Sequence, residues 1–265
     1  PPLAADLGAG TGANLRYLIP LCGPQQRWRA VDHDPRLLAQ LARSMRGWAD
    51  RHGFVCDRDR SAPGTRAAVL LHRHDRAVRI ERVAADLAQR VGDRAALAPD
   101  AVPANAGLVT ASALLDLVSA SWLESLIARC RELRAPVLFA LCFDGTLEWE
   151  PGDDDDAAVA AAFAAHQRSD KGFGAALGAA AAQRAAELLD ASGYRVAQQR
   201  SDWRLDSAHA RLQQRMIDGV AVAAAEAAPE HALRFARWSA RRRAALQRGE
   251  SRLRVGHRDV FGSLD

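Results

Sequence analysis

Lysine is almost missing from this chain: Lys171 is the only one among 36 basic residues, and all the others are arginine. An excess of alanine and arginine of this kind marks a GC-rich coding bias, so a solitary lysine against that drift draws attention to its position. Cysteine is sparse as well. Cys22, Cys56, Cys130 and Cys142 are far apart and form no CxxC pair, which argues against a disulfide framework or a zinc site and fits a reducing cytoplasm. No stretch reaches the ~18 uninterrupted apolar residues of a membrane helix, so no membrane partner is expected. The chain starts at Pro1-Pro2 and runs straight into an apolar segment, with no initiator Met and no charged-then-apolar signal region; further residues are expected upstream. Net charge is +4, from 36 basic and 32 acidic side chains, too small an excess to argue for nucleic acid by itself.

With 265 residues and 49% apolar side chains, one large domain, or one domain with an appended lobe, can bury a sizeable core. The first two-thirds alternates short apolar runs with longer helical patterns, the mark of βαβ units on a parallel sheet. Strands are expected at Leu3–Leu7, Trp28–Asp32, Val78–Val83, Leu108–Ala111, Pro136–Phe143 and Gly193–Arg200, with Arg252–His257 last. Helices are expected from about Ala13 to Leu21, from Pro35 with an apolar face of Leu37, Leu38, Leu41, Met45 and Trp48, and through Trp122 to Cys130. Ala68–His72 pairs with the third core strand as a hairpin around His74-Asp75, while the polar residues 53–66 read as a loop. Asp144-Gly145 predicts a tight turn before Thr146–Trp149, and Asp153–Asp156 a helix cap rather than a metal site. Helices at 207–224 and 229–248 form a small lobe or lid.

The strongest local signal is Asp6-Leu7-Gly8-Ala9-Gly10-Thr11-Gly12, at the end of the first strand. Glycines at 8, 10 and 12 permit backbone conformations closed to other residues and let a ligand lie against the main chain. Gly8, Gly10 and Ala13 also satisfy the dinucleotide fingerprint. Asp6 separates the two: a carboxylate there repels a diphosphate but attracts an ammonium or sulfonium. A second carboxylate, Asp32, lies twenty residues beyond Gly12 at the end of the next strand.

These residues resemble motif I of the class I S-adenosylmethionine-dependent methyltransferases, and the likeness runs through most of the chain. The resemblance implies an α/β fold: a Rossmann-like, mostly parallel seven-stranded sheet with helices on both faces and an antiparallel last strand. The whole chain, 1–265, is then a single domain, with a cofactor half at 1–135 and a substrate-side half at 136–265 carrying the helical insertion at about 207–248. By the same resemblance, Asp6, Gly8, Gly10, Thr11, Gly12 and Asn14 hold S-adenosyl-L-methionine at the glycine turn. Val31-Asp32-His33-Asp34-Pro35 is similar to the second family motif, with Asp32 accepting the ribose hydroxyls, His33 near the adenosine and Asp34 capping the next helix. Asp86 would accept from the adenine amine and Leu87 would offer its amide, with a helix cap as the bland alternative for Asp86. Ala111 and Ser112 lie beside the methionine portion. The acidic and Asn-Pro signatures of base and protein amino-methylating enzymes are missing from this segment.

Chemistry on the acceptor side is less legible. His166 through Gly174 is polar, ends in Gly-Phe-Gly and holds the lone lysine, so His166, Asp170 and Lys171 are the candidate catalytic or substrate-contacting residues; a helix end with a Gly cap is the structural alternative. Asp116 is read as solvated or helix-paired, with substrate orientation as its alternative, Asp144 as a turn residue and His257 as structural. Ser201-Asp202-Trp203-Arg204 is a candidate pocket wall. The arginines at 234, 237, 241, 242, 243, 248, 252, 254 and 258 read as a solvated face. A small-molecule methyltransferase without a metal is therefore expected. The rivals are an RNA methyltransferase using the basic C-terminal helix, a NAD-linked oxidoreductase, and a non-catalytic S-adenosylmethionine-binding partner protein.

Overall fold

The computed structural model describes residues 1–57 and 68–264. The elements run β1 (Leu3–Leu7), α1 (Ala13–Leu18), β2 (Gln25–Asp32), α2 (Pro35–Arg51), β3 (Val55–Asp57), β4 (Ala68–Arg73), β5 (Arg76–Ala84), β6 (Ala88–Val91), β7 (Arg94–Leu97) and β8 (Ala106–Ser112). Then follow α3 (Ala120–Glu132), β9 (Val137–Glu150), α4 (Asp156–Gln167), α5 (Ala181–Ala191), β10 (Arg195–Arg200), β11 (Trp203–Leu205), α6 (Ala210–Ala227), α7 (Ala232–Gln247) and β12 (Arg252–Ser263). One sheet carries ten of the strands in the order β10-β12-β9-β8-β1-β2-β5-β4-β3, with β11 paired off the side of β12.

Within that sheet, β9, β8, β1, β2 and β5 are mutually parallel, and β12 runs against both β9 and β10. The expected seven-stranded core with a reversed final strand is there, and the architecture is the Rossmann-like α/β fold. The count differs: β3 and β4 extend one edge and β11 the other flank. Helices α1 and α2 cover one face through Leu15, Ile19, Leu41 and Met45, and α3 and α5 cover the other through Trp122, Leu126, Ala185 and Leu189. The strands reverse direction of winding at β1, between β2 and β8, which opens a crevice at their carboxyl ends.

Two local expectations are corrected, and one segment holds a hairpin that the sequence reading did not include. Helix α1 ends at Leu18 rather than Leu21, because Pro20 cannot donate to the helical ladder. No helix joins β5 to β8: the hairpin β6–β7 takes its place, held by Trp122 Nε1 donating to the Leu87 carbonyl at 2.8 Å and Ser121 Oγ donating to the Ala95 carbonyl at 2.8 Å. Of the predicted 53–66 loop, Val55–Asp57 is a strand against β4, and 58–66 lies outside the described residues.

Strand β9 is the largest departure. Asp144-Gly145 does not end it; the strand continues to Glu150 and pairs with β12 along its length. The register breaks between His257↔Phe143 and Val255↔Leu147, so Asp144, Gly145 and Thr146 bulge opposite Gly256 alone. A side chain at 256 would meet Asp144 Oδ1 at 2.1 Å, which is why glycine stands there. Beyond the bulge β9, β12 and β11 form an arm projecting from the carboxyl edge, and α4, α6 and α7 pack on it. Their core is Phe143, Trp149, Val159, Leu205, Ile217, Phe235, Trp238 and Leu253. The predicted lid is thus a lobe with its own core.

The acidic run caps the start of α4 as expected: Asp153 Oδ1 accepts from Asp155 N at 3.0 Å and Asp156 Oδ2 from Asp153 N at 2.9 Å, although the Asp155 side chain makes no cap bond. The same carboxylates also bind α7: Asp153 and Asp155 both receive Arg241 (2.6 Å each), Asp155 receives Arg234 at 2.5 Å, and Asp156 accepts from Trp238 Nε1 at 2.8 Å and from Arg242, which is only 2% exposed. Arg243 pairs with Asp218, Arg248 with Glu250, and Arg254 with Glu148 and Asp202. Most of the C-terminal arginines are exposed, as expected of a solvated face, but several also pair with carboxylates, and Arg242 is buried as a clamp. Among the described residues, no helix is long and apolar enough to cross a membrane.

Candidate functional site

The crevice is built by the turn between β1 and α1. Gly8, Gly10 and Gly12 all have positive φ (65°, 52° and 79°), and Gly12 caps α1 in the left-handed region. A Cβ on Gly12 would come within 3.0 Å of Leu41 on α2, so the turn packs directly on that helix. Arg16 Nη1 donates to the Thr11 carbonyl at 2.7 Å and closes the turn from outside.

Beneath the turn, Asp6 is 1% exposed. Asn14 Nδ2 donates to its Oδ1 at 2.8 Å and to Thr110 Oγ1 at 3.1 Å, and Thr110 in turn donates to the Leu138 carbonyl at 2.7 Å. The other oxygen, Oδ2, has no partner. Burial, with the nearby negative charge of Asp32, pushes the Asp6 carboxyl up to about 7, against the partial relief given by Asn14. A buried carboxylate without a cation is costly. It sits where a bound positive group would relieve it.

Asp32, 5% exposed, ends β2 beside Asp6. Its Oδ2 accepts from Gly10 N at 2.8 Å and its Oδ1 from Asp34 N at 2.9 Å, so the second carboxylate braces the glycine turn from below. Each oxygen keeps a further lone-pair direction for a hydroxyl. His33 is exposed, 3.6 Å from Asp32. Asp34 caps α2 as expected, accepting from Arg36 N at 2.8 Å with Pro35 in the first turn.

The remaining predicted cofactor residues lie on the same rim with differing exposure. Asp86 is exposed and accepts from Ala88 N at 3.1 Å, capping the entry to β6 rather than a helix. Leu87 is buried, and its carbonyl is the one held by Trp122. Ala111 is buried within β8, and Ser112 ends that strand half-buried. Just beyond, Ala113, the residue after β8, and Leu141, within β9, carry φ of 53° and 52°, unusual for residues with a side chain. Ala113 N donates to the Ala140 carbonyl at 3.0 Å, and Leu141 N to Asp259 Oδ1 at 2.8 Å. Nothing in the local sequence marks these two or Asp259; only strand pairing brings them together.

Of the residues expected on the acceptor side, His166 and Lys171 meet each other. His166 Nε2 lies 2.9 Å from Glu226 Oε2 on α6, and Lys171 Nζ lies 3.2 Å from the same imidazole nitrogen. Asp170 Oδ1 accepts from Gly172 N at 2.7 Å and Gly174 N at 2.9 Å, which shapes the loop that packs Phe173 edge-on to Trp122. Among the described residues, no cluster of His, Cys, Asp or Glu has the geometry of a metal site.

No protein-family model matches this chain, and no curated protein matches it. Solved structures similar to it include the cyclopropane synthase MmaA2 of Mycobacterium tuberculosis, at 11% identity over 99% of this chain and 78% of that one, with a TM-score of 0.43. A SAM-dependent methyltransferase from Geobacter sulfurreducens, in complex with S-adenosyl-L-homocysteine, is 16% identical over 98% of this chain and 83% of that one, with a TM-score of 0.39. At such identities, activity is read from this chain's own residues.

Proposed function

We propose that this chain is a class I S-adenosylmethionine-dependent methyltransferase acting on a small-molecule acceptor, all of it serving as one domain with the lobe on its substrate side. The observation that supports this reading is the orphaned Oδ2 of Asp6, buried under three positive-φ glycines and next to a second carboxylate. Two adjacent negative groups disfavour a diphosphate over this turn and favour a ligand with an ammonium and a sulfonium. The donor set fits the amino acid end of S-adenosylmethionine at Asp6, Gly8, Gly10 and Asn14, the ribose at Asp32 and the adenine near His33, Asp86 and Leu87.

When bound, that cofactor supplies a methyl group activated by positive sulfur. The protein's part is then positioning: the glycine turn admits the ligand against the main chain, and Asn14 and Thr110 hold Asp6 in place. A base is required only where the acceptor must lose a proton. His166, Asp170 and Lys171 are the acceptor-side residues that this reading puts to the test. Turnover of His166→Ala and Lys171→Ala would fall if they touch substrate, and unchanged kinetics in both would remove that segment. The four cysteines are all free, which suits a reducing cytoplasm. The small-molecule reading is favoured over the RNA alternative in that Arg234, Arg241, Arg242 and Arg243 already pair with carboxylates.

Thermal shift with adenosylhomocysteine and with NAD decides the matter. Stabilisation by the first and not by the second is expected. Tight binding of NAD with no response to adenosylhomocysteine would refute the proposal.

A further inference from the structure

Most carboxylates of the substrate-side half meet an arginine; Asp259 in that half and Asp116 just ahead of it do not. Asp116, on the 3-10 turn Leu115–Leu117 after β8, is 7% exposed, and its Oδ1 has no hydrogen-bond partner. Asp259, on β12 and half-buried, accepts on Oδ1 from Leu141 N at 2.8 Å and from Ser201 Oγ at 2.6 Å, with no cation at either oxygen among the described residues. Both carboxylates act on Cys142: after burial, their charges push that thiol up to about 12.

Strand register fixes where these groups stand. Asp6, Thr110, Leu138 and Phe261 form one row across β1, β8, β9 and β12. Two residues nearer the carboxyl edge come Ser112, Ala140 and, at the irregularity in β12, Asp259. His257 follows, 6% exposed, with its ring 4.9 Å from Trp203 and 6.4 Å from Phe143, and with no partner at Nδ1. Asp144, Asp202 and Asp259 face it, yet burial outweighs them and holds its pKa below the usual value, so it does not supply the missing positive charge. Arg200 and Arg254 are committed to Asp202 and Glu148, and Arg200 stays 3.9 Å from Asp144.

In a chain this rich in arginine, an uncompensated pair of carboxylates at the rim repeats the situation of Asp6 one step away. We propose that the rim formed by Asp116, Ser112, Leu141 and Asp259 is the acceptor site, and that it receives an amine cation carried on a flat apolar ring. The assignment rests on the cofactor reading above. An ammonium brings both the positive charge and the N–H donors that a carboxylate in low dielectric calls for, whereas an alcohol brings only a donor and an acid adds repulsion. Phe143 and Phe163 belong to the lobe core, and half-buried Trp203, its ring 4.9 Å from that of His257, is the aromatic side chain that the proposal sets against the ligand's ring.

Calorimetric titration of the full chain with phenethylamine, 2-phenylethanol and phenylacetate varies the charge on one ring, with and without saturating adenosylhomocysteine. The amine should bind at least roughly tenfold more tightly than the alcohol, and the acid more weakly than either. Asp259→Asn and Asp116→Asn should each erase that preference while leaving the adenosylhomocysteine Kd within about twofold. Equal binding of amine and alcohol by the unaltered protein overturns the assignment, and so does a preference that survives both substitutions. A loss of S-adenosylmethionine affinity with adenosylhomocysteine affinity intact also overturns it, since the two carboxylates would then serve the sulfonium. Failure of the cofactor reading shows separately, as no heat from adenosylhomocysteine with the unaltered protein.

Discussion

Aspartates in the helical lobe and aspartates at the glycine crevice are the same chemical group put to opposite uses. In the lobe, Asp153, Asp155, Asp156 and Asp218 each meet an arginine of α7, and the pairs tie α7 to the loop before α4 and to α6. At the crevice, Asp6 has one neutral amide, one orphan oxygen and a carboxylate neighbour. The lobe's negative charge is balanced from within the fold. The crevice keeps its charge unbalanced at a cost to stability, and a cost of that kind persists where a ligand offsets it.

Removing a lobe clamp should do the greatest damage. Arg242→Met leaves Asp156 without its buried partner and breaks the stack of the guanidinium on Trp149, 5.3 Å away; a loss of about 3–5 kcal/mol is expected in urea denaturation. An unchanged midpoint would show that the lobe stands without the clamp.

Asp6→Asn should act in the opposite sense. With a folded pKa near 7 and an unfolded one near 3.8, Asp6 is protonated in the folded state where the unfolded chain has already ionised. Stability of the ligand-free protein therefore falls as pH rises from about 4 to about 7, and stays reduced above that window. The Asn variant should be more stable at pH 8, on the order of 3 kcal/mol, while binding adenosylhomocysteine roughly tenfold to a hundredfold more weakly. A variant both less stable and unaltered in binding would remove Asp6 from the crevice's role. In the unaltered protein, affinity should rise with pH through 7, because the ionised form is the one a cation holds.

Gly256→Ala probes the join between the two regions. The new methyl group collides with Asp144 and Thr146, so the bulge must shift, and a loss of about 1–3 kcal/mol is expected by thermal denaturation. The mildest change is Asp153→Asn. The Arg241 pair holds this carboxyl down at about 2, so its contribution is present above pH 4 and lost as pH falls through 2. With Arg241 half exposed and shared with Asp155, the pair should be worth about 1 kcal/mol or less, and salt should shrink it further.

Much of the glycine crevice was legible because its signals are local. Three glycines in five residues, an acid two positions ahead and Asp34-Pro35 at a helix start each act through their own backbone, and the structure puts each where its neighbours in sequence predict. The hairpin around His74-Asp75 was readable for the same reason. The strand β9 was misread because an Asp-Gly pair is a turn signal only when nothing across from it accepts the extra residues; Gly256, more than a hundred positions away, does. The C-terminal helix is largely exposed as read, but the burial of Arg242 was not legible, since its counter-ion comes from some eighty positions earlier. Asp259 escaped notice altogether, for it faces Leu141 across a strand pair and has no motif around it.

Periodicity and backbone chemistry, both short-range, determined from the sequence alone that a parallel sheet would open on a glycine turn flanked by acids. Which acids would find an arginine and which would be left without one was decided only by tertiary packing, because charge compensation acts through space between residues that the chain holds far apart.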